Sequence, residues 1–244
     1  MKSWIRGRSG TKTARVGGPR TLLRLAALVG LVMLALAWMP ASAGPPVLSS
    51  SSTSAYFFGD SLMAGTGAHP RRPVMARVAA AQLGWEVEVD AWGGTGYTTT
   101  GTETPGYLER LHKPGALRGQ YDVVVLEGGT NDARIGSSPE QVRAALREVV
   151  AFVRSRQPRA TIVLMGAYDP PTNGRQNPHR AVVDRALQTA AAELGLPFLS
   201  PISGGWSTGQ PPTFLSPDGL DPTAFGYGVM GIRLAKELAA LVRP

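Results

Sequence analysis

The feature that most restricts the fold of this chain is a nearly unbroken apolar segment near its middle, Tyr121–Leu126 (YDVVVL). β-Branched residues without alternating polar positions are typical of a strand buried on both faces of a parallel sheet. A second such segment, Thr161–Met165 (TIVLM), follows after a stretch with the spaced apolar pattern of a helix. The chain is therefore expected to form a parallel sheet that is covered by helices.

The same alternation of strands and helices extends along the rest of the chain. Three further strands are predicted at 55–58, 85–89 and 196–199, the second of them at or near a sheet edge because its residues alternate apolar and acidic. Helices are predicted over 73–83, 138–156, 178–194 and 222–241. Five strands alternating with helices predict an α/β fold, a three-layer α/β/α sandwich with a mainly parallel five-stranded sheet.

Residues 1–43 have the composition of an export signal. A basic stretch ends at Arg24, an apolar run covers Leu25–Met39, and Ala41-Ser42-Ala43 matches the small-x-small rule for cleavage. A membrane span needs about 20 apolar residues, so we predict a cleaved signal peptide, with an uncleaved anchor as the alternative. The Pro- and Ser-rich residues 44–54 are predicted to be a linker and 55–244 the folded domain, which either alternative places outside the cytoplasm, secreted or in the cell envelope.

The net charge of +8 originates in this leader. Seven of the 25 Lys and Arg fall within residues 1–43, which contain no Asp or Glu, so the remainder has 18 basic residues against 17 acidic ones. Nucleic-acid-binding proteins usually carry a basic face on their folded domain, and we predict no nucleic-acid partner. The membrane is expected as a partner only through an uncleaved leader. The chain contains no Cys, so its stability must come from its core and not from disulfides.

Polar and glycine-rich motifs follow the predicted strands, where open α/β sheets bind their ligands. GDSL at 59–62 follows the first strand, a glycine-rich loop at 93–98 the second, and GTND at 129–132 the third. Ser61, between a strand and a helix, is a candidate nucleophile, or alternatively a helix N-cap. The glycine loop and Asn131 are candidate oxyanion donors, or alternatively a plain glycine turn and an Asx-turn or cap.

Together with DGL-x-P at 218–222, these motifs resemble in their order the SGNH, or GDSL, family of esterases and lipases. The resemblance covers nearly all of residues 55–240 and implies a flavodoxin-like, SGNH-type fold. It implies Ser61 as nucleophile, and an oxyanion hole made by the N–H groups of Ser61 and Gly96 and by the Asn131 amide, with Gly94 as the alternative to Gly96. Asp60 and Asp132 would hold the loops by hydrogen bonds. No cofactor or metal is implied, and the expected substrate is a small-molecule, lipid or glycan ester.

The last motif departs from the family pattern, which has Asp, two further residues and then His. Here the two positions hold Asp218 and Asp221. An imidazole exchanges protons near neutral pH, whereas an aspartate with an ordinary pKa near 3.9 is a much poorer base. We therefore predict a serine esterase with Ser61, Asp218 and Asp221 as catalytic residues and with reduced activity.

Four explanations of this departure are open at the level of the sequence. His69 or His179 takes the place of the missing base, or Asp221 acts as a weak base directly or through water. Alternatively, the protein has lost catalysis and binds an acyl or glycan ligand at the cell envelope. In the fourth, Asp218, Asp221 and Asn131 bind Ca²⁺ or Mg²⁺, although their spacing matches no metal-binding loop.

Overall fold

The structure, a computed structural model, describes residues 52–68, 72, 74–99, 105–170 and 177–242. These residues form a five-stranded sheet in the order β2-β1-β3-β4-β5, with every neighbouring pair parallel. The strands are β1 Ser54–Gly59, β2 Glu86–Ala91, β3 Val123–Glu127, β4 Thr161–Met165 and β5 Phe198–Leu199. The predicted α/β class, the parallel sheet and the edge position of the second strand are confirmed.

Helices cover both faces of this sheet. The described residues contain α1 Ser61–Ala64, α2 Val74–Leu83, α3 Tyr107–His112, α4 Thr130–Arg134, α5 Pro139–Arg156, α6 Pro178–Glu193, α7 Ala224–Leu241 and a 3₁₀-helix, Pro212–Phe214. The four long helices were predicted to within two residues. The bounds of the three short helices were not predicted, because four to six residues are too few to show a helical period.

The side chains of the strands contribute to two separate hydrophobic cores, because successive side chains of a strand point to opposite faces of the sheet. Ala55 and Phe57 of β1 face the layer formed by α2 and α7. Tyr56 and Phe58 face the layer that contains α3, α5 and α6. All five residues of β3 are buried, which explains why its sequence shows no polar alternation.

The ends of the long helices follow capping signals in the sequence. The Ser138 hydroxyl accepts a hydrogen bond from the Gln141 N–H, and the Gln141 side chain accepts one from the Ser138 N–H, so α5 begins with a capping box. After the C-terminal end of α6, Gly195 adopts a positive φ of 66°, a conformation that favours glycine. These caps fix where each helix returns the chain to the sheet.

The predicted leader, 1–43, and most of the predicted linker, 44–54, lie outside the described residues. Among the helices of the described part, none combines the length and the hydropathy that crossing a bilayer requires.

Candidate active site

Three of the four motif-bearing loops line one small cavity at the carboxyl end of the sheet, whereas the glycine-rich loop, with Gly96, contacts Asn131 but does not line the cavity. Its lining consists of Asp60, Ser61, Leu62, Thr130, Asn131, Arg134, Tyr168, Arg180, Leu220 and Asp221. The cavity offers about 20 Å³ to a group the size of water, enough for about one such group. Two larger grooves, of about 530 and 370 Å³, lie beside residues that precede β3, β4 and β5 and contain none of the motif residues.

Ser61 is the first residue of the short helix α1 and is half-buried. The cap of this helix is Asp60, whose Oδ1 accepts a hydrogen bond from the Leu62 N–H at 2.9 Å. Gly65 ends the helix with a φ of 73°. Asp60 is the N-cap of α1, so the alternative role of Ser61 as a helix N-cap is wrong.

The amide of Asn131 is buried between two loops. Its Nδ2 donates hydrogen bonds to Asp60 Oδ2 at 2.9 Å and to the Thr95 carbonyl oxygen at 3.0 Å. The N-cap position of α4 belongs to Gly129, so Asn131 does not cap this helix. Both hydrogens of the amide are directed to protein acceptors, and a substrate oxygen would have to share one of them.

The glycine-rich loop after β2 is held by Asp132. The carboxylate accepts hydrogen bonds from the N–H groups of Tyr97 and Thr98, at 3.2 and 2.6 Å, and from the Thr98 hydroxyl at 2.6 Å. A Cβ on Gly96 would lie 2.5 Å from Asp132 Oδ2, so this position requires glycine. The Gly96 N–H donates to the Thr99 carbonyl oxygen at 2.9 Å. The resemblance implied a loop-holding role for Asp132, and these contacts agree with it.

A buried pair of carboxyl groups lies beneath Ser61. The Asp60 N–H donates to Glu127 Oε2 at 3.1 Å, and Glu127 is completely buried at the end of β3. Burial, with the charges of Asp132 and Asp221, raises the pKa of Asp60 to about 7. Burial and the neighbouring Asp60 also raise the pKa of Glu127 well above its usual range. The pair therefore retains a proton at pH values where exposed carboxyl groups have lost theirs.

Arg110 of α3 connects the floor of the site to the edge of the sheet. Its guanidinium donates to the Gly59 carbonyl oxygen at 3.0 Å and to the Thr95 hydroxyl at 3.1 Å, and it forms an ion pair with Asp90 of β2. It also stacks on the Phe58 ring, with the guanidinium carbon 4.2 Å from the ring centre. One buried side chain thus joins three neighbouring segments.

The two aspartates of the last motif are placed differently. Asp221 is buried and lines the cavity with Ser61. A Cβ on Gly67 would lie 3.0 Å from the Asp221 Cβ, so the segment that follows α1 packs against it. Asp218 is exposed, and its Oδ1 accepts hydrogen bonds from the N–H groups of Leu220 and Asp221 at 2.8 and 2.9 Å. Partial burial opposes ionisation of Asp218, but its hydrogen bonds, including these two, outweigh burial and lower its pKa.

Of the two histidines predicted as candidate replacement bases, the structure describes only His179. His179 lies in the first turn of α6, with Nε2 2.8 Å from the Ser137 carbonyl oxygen, and it does not line the cavity. His69 lies outside the described residues. Within the described ranges, no group of three or more His, Asp or Glu side chains is arranged to hold a metal ion.

The cavity also contains residues that sequence reasoning did not single out. Tyr168 follows β4 by three residues, and its N–H donates to the Thr130 hydroxyl at 2.9 Å. Arg180 of α6 donates to Asp169 Oδ1 at 2.7 Å and forms an ion pair with it. The sequence pattern that could have identified Tyr168 is its position after a buried strand, since ligands bind at that end of the sheet. Arg180 belongs to no motif, and the only sequence indication for Arg134 is its position two residues after GTND.

Comparison with solved structures supports the fold. The chain superposes on a family two carbohydrate esterase from Clostridium thermocellum in complex with cellohexaose, with TM-score 0.62, 18% identity and coverage of 77% of this chain and 64% of that one. A lipase/acylhydrolase from Enterococcus faecalis gives TM-score 0.61 and 20% identity, covering 79% and 98%. A putative arylesterase from Agrobacterium tumefaciens gives TM-score 0.56 and 22% identity, covering 78% and 100%.

Sequence comparison identifies the family. No curated protein sequence matches the chain. The profile of the GDSL-like lipase/acylhydrolase family, in contrast, matches residues 57–229, which include all four motifs. This chain therefore belongs to the GDSL-like lipase/acylhydrolase family, with a flavodoxin-like, SGNH-type fold.

Proposed function

We propose that the protein is an exported serine esterase that hydrolyses carboxylic esters through an acyl-enzyme on Ser61. The observation that carries this proposal is the shared cavity, which Ser61, Asn131 and Asp221 line together at the carboxyl end of the sheet. A hydroxyl that is not spent on helix capping and that lies beside hydrogen-bond donors and a carboxylate is suited to nucleophilic attack.

In the proposed reaction, Ser61 Oγ attacks the ester carbonyl carbon and its proton passes to Asp221, directly or through a water molecule. The N–H groups of Ser61 and Gly96 and the Asn131 amide donate to the oxygen of the tetrahedral intermediate. The intermediate then expels the alcohol, which takes up the proton, and water hydrolyses the acyl-Ser61 ester in a second, equivalent step. Asp218 positions Asp221 through its hydrogen bond to the Asp221 N–H.

Two observations predict that this activity is reduced. Asp221 occupies the position of the expected histidine and is the poorer base near neutral pH. In addition, the Gly96 N–H and the Asn131 amide are engaged by Thr99, Asp60 and Thr95, so substrate must compete for these donors. Positioned acid–base catalysis contributes about 10²–10⁴-fold to rates in enzymes that possess it, and we expect a loss in this range.

The substrate class follows from the size of the cavity. Space for about one water-sized group beside Ser61 favours a small acyl group such as acetyl. The folds of a carbohydrate esterase and of a putative arylesterase are among those that this chain resembles. We therefore propose acetyl esters of glycans or of small aryl alcohols as the first substrates to assay.

The second candidate function is a catalytically inactive binding protein of the cell envelope that holds an acyl or glycan ligand. The engagement of Gly96 and Asn131 by protein acceptors favours it, because a site without turnover has no oxyanion to stabilise.

The two functions are separated by hydrolysis of 4-nitrophenyl acetate and butyrate by the parent, Ser61→Ala and Asp221→His. The esterase predicts parental turnover that Ser61→Ala abolishes and Asp221→His increases by about 10²-fold or more. Ser155→Ala, at an exposed serine of α5, is the matched control and should leave the rate unchanged. A folded protein that is inactive both as parent and as Asp221→His would contradict the esterase proposal.

The replacement of the base is tested in the same assay with His69→Ala and His179→Ala. Loss of activity in either variant, with parental thermal stability, would assign the base to that histidine. If both retain parental rates, Asp221 acts without an imidazole, and Asp221→Asn should then abolish turnover.

Export is tested by N-terminal sequencing of the protein recovered from culture medium or envelope fractions. Cleavage after Ala43 predicts a mature chain that begins at Gly44. Recovery of the intact N-terminus from membranes would instead support the anchor.

A further inference from the structure

Two residues that line the cavity carry a buried hydrogen-bond donor with no acceptor in the described part of the chain. The donors are the hydroxyl of Tyr168 and the Nε–H of Arg180. Tyr168 is 3% exposed and Arg180 is 8% exposed, and both line the cavity beside Ser61. Buried polar atoms in native proteins are nearly always hydrogen-bonded, so each exception needs an explanation.

Other buried tyrosines of this protein are satisfied by their own fold. The Tyr107 hydroxyl donates to the Glu127 carbonyl oxygen at 2.8 Å, and the Tyr227 hydroxyl donates to the Thr66 carbonyl oxygen at 2.8 Å. A buried hydroxyl that lacks such a partner lowers stability, because it has given up its hydrogen bonds to water. The contrast sets Tyr168 apart from tyrosines of equal burial.

The surroundings keep both groups in their donor forms. Burial and the nearby charge of Asp221 raise the pKa of Tyr168, so its hydroxyl remains protonated. Arg180 is held by its ion pair with Asp169, which uses Nη1 and leaves Nε–H in a fixed direction. Among the residues that line the cavity, Tyr168 and Arg180 therefore retain a donor without an acceptor in the described part of the chain, whereas both hydrogens of the Asn131 amide are bonded to protein acceptors.

We propose that Tyr168 and Arg180 form a donor pair that binds an acceptor oxygen of a small acyl ester in the Ser61 cavity. This inference rests on the proposed function, because it takes the ester as the ligand. It explains why the fold tolerates two unsatisfied donors in this place: the substrate provides the acceptor that the described residues lack. Stability lost in the free protein is then recovered as substrate affinity.

The test is Tyr168→Phe, which removes the hydroxyl and leaves the ring. Because the hydroxyl has no partner among the residues that the structure describes, the melting temperature should stay the same or rise, while kcat/KM for 4-nitrophenyl acetate falls roughly tenfold. A residue with a merely structural role would not combine these two results. Arg180→Lys, which keeps the positive charge beside Asp169 but lacks Nε–H, should lower kcat/KM in the same way.

Tyr121→Phe is the matched control. It removes a hydroxyl that is bonded to Glu88 at the edge of the sheet, away from the cavity, and should leave kcat/KM within about twofold of the parent.

Binding is measured separately so that the inference does not depend on turnover. In the Ser61→Ala background, the amide analogue 4-nitroacetanilide serves as the probe, and its Kd is determined by calorimetry. Adding Tyr168→Phe should weaken binding roughly tenfold. An inactive parent with this weakening would refute the esterase alone. Unchanged binding and unchanged kcat/KM in Tyr168→Phe, or no binding of the probe to the Ser61→Ala protein, would overturn the donor pair and leave the hydroxyl to a buried water.

Discussion

The carboxyl pair beneath Ser61 makes the stability of the protein depend on pH in a direction that can be calculated. Asp60 and Glu127 are buried and hydrogen-bonded to one another through the Asp60 N–H. The pKa of Asp60 rises from 3.8 to about 7 on folding. Between these two values, the folded protein binds more protons than the unfolded chain. The free energy of unfolding therefore decreases as the pH rises through this window.

The magnitude follows from the size of the shift. A rise from 3.8 to about 7 corresponds to about 4 kcal/mol of unfolding free energy lost between pH 4 and pH 8. Glu127 adds a loss of the same sign, as does Asp184, whose pKa burial raises to about 6. Asp218, with its lowered pKa, has the opposite sign, but its contribution is already complete above pH 4 and does not compensate.

The assay is urea unfolding of the parent and of Glu127→Gln at pH 4 and pH 8, followed by tryptophan fluorescence. With m near 2–3 kcal/mol/M, the parent should lose about 1.5 M in its urea midpoint at the higher pH. Glu127→Gln keeps an acceptor for the Asp60 N–H but removes one titrating group, and should show a smaller loss. Glu193→Gln, at an exposed ion pair with Arg147, is the control and should behave like the parent. A parent that is equally or more stable at pH 8 would refute the buried proton.

Two further predictions concern the glycine-rich loop. Gly96→Ala should lower both the melting temperature and the esterase rate, because the new Cβ would lie 2.5 Å from Asp132 Oδ2 and displace the loop. Gly228→Ala in α7, where the new Cβ meets nothing and the backbone has no positive φ, is the comparison for steric effects, and equal rates in the two variants would contradict the close approach. Asp132→Ala should lower the free energy of unfolding in urea by about 2–5 kcal/mol, because it leaves the N–H groups of Tyr97 and Thr98 without their carboxylate acceptor. A decrease below about 1 kcal/mol would show that water replaces the carboxylate.

The fold was predictable because its strands carry an unambiguous signal. A buried parallel strand such as β3 must be apolar at every position, and its sequence shows this directly. Helix α3, Tyr107–His112, was not predicted, because six residues do not establish a period, and its packing against α5 decides its conformation. The last strand was predicted at 196–199 but pairs only at Phe198–Leu199, since pairing at the sheet edge depends on a single neighbour.

The candidate site was predictable only in part. Position after a strand was enough to bring Ser61, Asn131 and Asp221 to one cavity. The hydrogen bonds that engage Gly96 and Asn131 could not be read from the sequence, because they depend on how neighbouring loops compete for the same donors. Tyr168 and Arg180 belong to no motif, and their importance depends on hydrogen-bond acceptors that are absent from the described part of the chain, which no sequence pattern reveals.

The buried guanidinium of Arg110 has a consequence for protein engineering. Because it bonds the end of β1, the glycine loop and the edge strand at once, these segments share one cross-link. Transplanting the serine and glycine loops into another α/β scaffold without α3 and Asp90 would therefore remove the support that fixes their spacing. A graft should carry all of these parts together.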